Sequence, residues 1–125
     1  MGTAYADIEL SNPRRSEVPT VRVRALADTG SLMMCLPEAV ARDLQLEVES
    51  VRSVTVADGR RIDVPYAGPI RVRFGERTCF VGAFVMGDQA LLGAIPMEDM
   101  DLVVSPSRRT VTPHPSGPDS PRARL

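Results

Sequence analysis

The stretch RALADTGSLMMCLP, from Arg24 to Pro37, sets a carboxylate in apolar company. Asp28 follows Leu26 and Ala27 and precedes Leu32, Met33 and Met34. Burying an acid costs several kcal/mol unless it is paired or hydrogen-bonded. The stretch therefore predicts a special setting for Asp28, and the Thr29-Gly30 that follows predicts a turn there.

Upstream, AYADIEL alternates apolar and polar residues, and a turn-like SNPRRSEVP comes next. In TVRVRALA the alternation resumes, with Val21, Val23 and Ala25 on one face and Arg22, Arg24 and Leu26 on the other. The period of two predicts a hairpin with a long loop, whose second strand delivers Asp28 at its end. Downstream, LPEAVARDLQL predicts a short helix with Pro37 at its first position, Glu38 at the positive end of the dipole, and Val40 and Leu44 on one face. SVTVADGRRIDVP predicts a hairpin with a two-residue type I′ turn at Asp58-Gly59, which needs φ > 0 at both positions. GPIRVRFG and RTCFVGAFVMG predict two further strands joined at Gly75-Glu76, and QALLGAIPMEDMDLVV an apolar strand with room for a helical turn around Pro96 to Met100. RTVTP allows one more edge strand. Beyond it the chain is polar and carries much of its proline, which predicts a disordered tail over 113–125 and a single domain over 1–112.

Composition narrows the function classes. Hydrophobic content of 43% and charged content of 25% suit an ordinary soluble globular domain. No apolar run approaches the roughly 20 residues of a membrane span, and MGTAYADIEL lacks the pattern of a secretory signal. The expectation is a cytoplasmic protein without a membrane partner. All fifteen basic residues are arginine, yet the net charge of -1 argues against nucleic acid. Cys35 and Cys79 are compatible with a disulfide in an oxidising compartment, but the lack of a signal favours two buried thiols. With two Cys, one His and no C-x-x-C, no metal site or cofactor is expected. Glu98, Asp99 and Asp101 read as a solvated face. The single histidine, His114, falls in the Pro-rich stretch, which argues against a histidine triad.

Three features stand in order: Asp28-Thr29-Gly30 at a strand end, a hairpin about thirty residues on, and Leu91-Leu92-Gly93 near the end of the β region. Each is weak alone. Their order and spacing resemble the retropepsin-like aspartic proteases, over roughly residues 5 to 112. ALADTGSLMMCLPEAVARDLQL, VTVADGR and LLGAIPMEDMDLVV look most like the bacterial members. The resemblance implies an all-β closed-barrel subunit with one or two short helices, a flap hairpin, and an active site at a homodimer interface.

It also implies the chemistry of an aspartic endopeptidase. Two carboxylates side by side share one proton, so that one activates water while the other polarises the scissile carbonyl. This chain has one D-[ST]-G, so the second aspartate must come from another copy. Catalytic roles then fall to Asp28, to Thr29 as a hydrogen bond across the interface, and to Gly30, whose N–H reaches the carboxylate. Substrate contacts fall to Ser31, Met33, the flap tip Ala57, Asp58, Gly59 and Arg60, and the Leu92-Gly93 pair, with Gly93 making room for the aspartate loop. Activity is expected from acid to near-neutral pH on a peptide or protein substrate.

The chain departs from the viral members where they carry acids after D-T-G and a base after the late Gly. Here Leu32, Met33 and Ala94 stand, and the flap tip is charged rather than Gly-rich. Two other readings stay open: a retropepsin-fold dimer that binds peptides without cleaving them, and an unrelated small β-domain in which Asp28 is a structural acid.

Overall fold

The computed structural model describes residues 3–115. Its strand β1 (Ala4–Ser11) shows the period of two most clearly: Ala4, Ala6, Ile8 and Leu10 are buried while Tyr5 and Asp7 face out. Full burial of Ile8 and Leu10 is worth about 1.5–3 kcal/mol each. β1 pairs antiparallel with β2 (Val21–Ala27), from Leu10 opposite Val21 to Ala4 opposite Ala27. Asn12, buried at the start of the connecting loop, anchors it to the α1 turn by donating to the Leu44 and Gln45 carbonyls at 2.9 and 3.2 Å.

After the Asp28 loop come β3 (Met34–Leu36) and a six-residue helix, α1 (Glu38–Asp43). Pro37 is the residue before the helix rather than its first position, with extended ψ. β4 (Val48–Thr55) and β5 (Arg61–Phe74) form the flap hairpin, and β6 (Arg77–Val85) returns antiparallel to β5. β7 (Leu91–Leu92) leads into α2 (Ala94–Asp99). β8 (Leu102–Ser105) and β9 (Thr110–Pro113) close as a separate two-stranded sheet.

The main sheet runs β1-β2-β7-β3-β6-β5, and β5 also pairs with β1, so six strands close into a barrel. Closure removes the edges a small open sheet would expose. β4 adds to β5 outside that circle and forms the projecting arm. Inside sit Ile8, Leu10, Met34, Leu36, Ile70, Val72 and Leu92, capped by Leu44, by Met97 of α2 and by Met100 just past its end.

Two local expectations are corrected. The segments RIDVP and GPIRVRF are one strand of 14 residues, with a register shift between Ala67 and Ile70 where the arm meets the barrel. The Asp58-Gly59 turn is not type I′. Gly59 has φ +88°, but Asp58 is not in the left-handed region. Gly59 N–H donates to Val56 O and Val56 N–H to Arg60 O, both at 2.9 Å, which makes a three-residue loop with a glycine bulge. The most C-terminal strand, β9, ends at Pro113, one residue past the domain boundary expected from composition. Most of the expected tail, 116–125, lies outside the described residues.

Candidate active site

The site is built where β2 ends. β2 runs parallel to β7, Leu26 beside Leu91 and Ala27 beside Leu92. Leu26 N–H donates to Ala90 O at 2.9 Å and Asp28 N–H to Leu92 O at 3.0 Å. The backbone of Asp28 is thus the last rung of a ladder, and its side chain leaves from a fixed point. A tight turn follows: Ser31 N–H donates to Asp28 O at 3.2 Å, and Gly30 N–H donates to Asp28 Oδ1 at 2.9 Å. One carboxylate oxygen is therefore oriented by a backbone amide, the local bond that favours Asp at turns.

The loop is held from the far side as well. Ala94 N–H donates to Ser31 O at 2.7 Å and Ile95 N–H to Leu32 O at 3.0 Å. The first amides of α2 thus close on carbonyls of the aspartate loop. Gly93 is at the crossing. A Cβ there would lie 2.7 Å from the Leu32 carbonyl carbon and would collide with the Met33 carbonyl oxygen. Only glycine lets the two backbones approach this closely.

Asp28 is half-buried, not buried, so its solvation is partly retained. Thr29 and Gly30 are exposed, Ser31 and Met33 half-buried, and Leu32 is 66% exposed. The apolar wall expected around the acid is present on one side only: Met34 is fully buried behind it, while Leu32 faces out. Leu92 is fully buried and supports the loop from below, so it presents no side chain to a groove. Two surface grooves of about 630 and 770 Å³ lie elsewhere on the chain, and Asp28 lines neither.

The structure brings Asp28, Thr29, Gly30, Ser31, Met33, Leu92 and Gly93 together at one crossing of two loops. Ala57, Asp58, Gly59 and Arg60 form a separate unit, the flap tip. Asp58 Oδ1 accepts Arg60 N–H at 3.0 Å, and Arg60 Nε donates to Asp58 Oδ2 at 2.6 Å. The Arg60 amide, and then its guanidinium, hold the Asp58 carboxyl below the usual carboxylate range.

A solved structure, the retroviral protease-like domain of Ddi1 from Leishmania major, matches 92% of this chain and 90% of its own, with a TM-score of 0.59 and 14% identity. The fold is retropepsin-like. No protein-family model matches the sequence, and no curated protein matches it.

Within this retropepsin-like fold, several residues went unread in the sequence. The register Val54 opposite Ile62 and Arg52 opposite Val64 puts these four, with Val56, on one face of the flap. Ser53, Thr55, Arg61 and Asp63 take the other. The alternation in SVTV and RRIDV carried this signal. At the flap's base, Arg52 stacks on Tyr66 at 3.8 Å, and Tyr66 meets Phe84 edge-on at 5.4 Å. Arg77, 1% exposed, donates to the Met100 carbonyl at 2.8 Å and so ties β6 to the end of α2, where no sequence signal foretold it. No helix among the described residues is long and apolar enough to cross a membrane, and none of their His, Cys, Asp and Glu groups gathers to hold a metal.

Proposed function

We propose that the protein is a homodimeric aspartic endopeptidase whose active site pairs Asp28 of one chain with Asp28 of a second. The observation that carries this reading is the placement of Asp28 in a retropepsin-like fold. Its carboxylate stands at a strand end on a loop clamped from both sides, open to solvent, with one oxygen bonded to the Gly30 amide. A structural acid would instead use up its acceptors within its own chain.

Two such carboxylates about 3 Å apart cannot both ionise and hold one proton between them. The ionised one takes a proton from water, whose oxygen attacks the scissile carbonyl carbon. The protonated one donates to the carbonyl oxygen. The tetrahedral intermediate then collapses as the amide nitrogen gains a proton and the C–N bond breaks. Thr29 bonds to the facing loop, Ser31 and Met33 border the bound peptide, and the flap closes over it with Ala57, Asp58, Gly59 and Arg60 at its tip. The apolar face of Val54, Val56 and Ile62 is the side turned to the peptide. Cys79 is buried, Cys35 half-buried, and neither forms a disulfide, which suits a reducing, cytoplasmic setting.

Cleavage of a broad peptide library from acid to neutral pH tests the reading. Wild type is expected to cleave and Asp28→Asn to lose activity by at least about a thousandfold, since no other carboxylate serves the step. Full activity in Asp28→Asn contradicts it. Peptide binding without cleavage by wild type would support the charged-tip flap as part of a binding module instead.

A further inference from the structure

Beside the Asp28 loop lies an exposed apolar pair that folding leaves uncovered. Leu32 is 66% exposed and Ile95 46% exposed, and the backbone bond from Ile95 N–H to Leu32 O fixes them as neighbours. Of the residues that make the two chain segments at this crossing, 29–33 and 93–97, none carries a charge. The first acids of α2, Glu98 and Asp99, come only at the helix end and are exposed. Leaving Leu32 and Ile95 this far exposed forgoes about half or more of the stabilisation each would gain on full burial.

We infer that Leu32 and Ile95 form an apolar seal against a second copy of this chain and supply dimer affinity around the paired Asp28 residues. The inference rests on the dimeric reading above and names what holds that dimer. A two-fold contact brings a surface against its own image, so a patch with one sign of charge would repel itself, whereas an uncharged apolar patch is self-complementary. The patch is also continuous with Asp28: a partner carboxylate about 3 Å away brings the partner's loop onto the residues flanking it. The same contact would dry the rim of the site and strengthen the bonds that orient the shared proton.

The test is sedimentation equilibrium on full-length wild type, Leu32→Glu and Ile95→Glu, with circular dichroism and thermal melts beside it. Because both side chains are exposed, the variants are expected to keep wild-type spectra. Their dimer dissociation constants are expected to rise at least about thirtyfold, the order of two buried aliphatic groups replaced by unpaired charge. Activity per chain at saturating protein concentration should recover toward wild type, because the lesion lies in association. Wild type that dimerises while both variants dimerise equally well overturns the inference and leaves the dimeric reading standing. A raised KM with unchanged dimer affinity makes Leu32 a substrate contact and likewise overturns it. Wild type that stays monomeric with and without peptide overturns the dimeric reading as well.

Discussion

Two hairpin-like regions carry the candidate site, and they are built in opposite ways. The Asp28 crossing is tied to its neighbours by long-range backbone bonds, to Leu92 on one side and through Ala94 and Ile95 on the other, over fully buried Met34 and Leu92. The flap is a two-stranded arm in which seven of the eight β4 residues are exposed and whose tip is held only by bonds between residues two to four apart. Rigidity is therefore concentrated where the proposed reaction needs a carboxylate placed to within a fraction of an ångström, and compliance is left where the proposed peptide substrate would enter and leave.

The sharpest way to break this contrast is the same substitution made in both regions. At the crossing, Gly93→Ala forces a Cβ into the Leu32–Met33 backbone. It is expected to cost about 3 kcal/mol in urea unfolding, the upper range for overpacking a site that backbone cannot vacate. In the flap, Gly59→Ala meets no atom within 4 Å and suffers only its φ of +88°. The expected cost is about 1 kcal/mol, the penalty for a side chain in the left-handed region. Equal losses at the two positions would remove the distinction.

Much of this contrast was legible in the sequence, and the limits are physical. The alternation in β1 and β2 sufficed for their hairpin, because period-two burial is a local signal, whereas the closed barrel was implied only by the family resemblance that the order of Asp28, Asp58-Gly59 and Leu91-Leu92-Gly93 carries. The turn type at Asp58 was not legible. Asp-Gly serves both a two-residue turn and a three-residue loop with a bulge, and the pairing of Val56 with Arg60 decides between them. Nor was the state of Asp28. Neighbours in sequence suggested burial, but Leu32 turns outward because Ala94 and Ile95 clamp the carbonyls on either side of it. Arg77 gave no sign of its burial at all, since its partner is a main-chain carbonyl 23 residues away.

The smallest expected effect is at the flap tip. Asp58 and Arg60 are exposed, so Asp58→Asn should leave the global melting curve unchanged while speeding amide exchange at Gly59 and Arg60. The pH dependence has a definite sign. A carboxyl held below its ordinary value of about 4 contributes its ordering fully above that pH. The contribution is lost as pH falls through the lowered value. Amide protection at Arg60 should accordingly persist at pH 5 and be lost only as pH falls below the ordinary carboxylate value, as followed by NMR. Protection already lost at pH 5 would mean that the ion pair does not order the tip.

The central claim is that one chain holds half a site. Mixing wild type with a growing excess of Asp28→Asn chains, at concentrations where both dimerise, tests it most directly. If catalysis needs both aspartates, activity per wild-type chain should fall to about half at equal amounts and about a tenth at ninefold excess, as random pairing dictates. Activity per wild-type chain that stays constant across the titration would contradict the account.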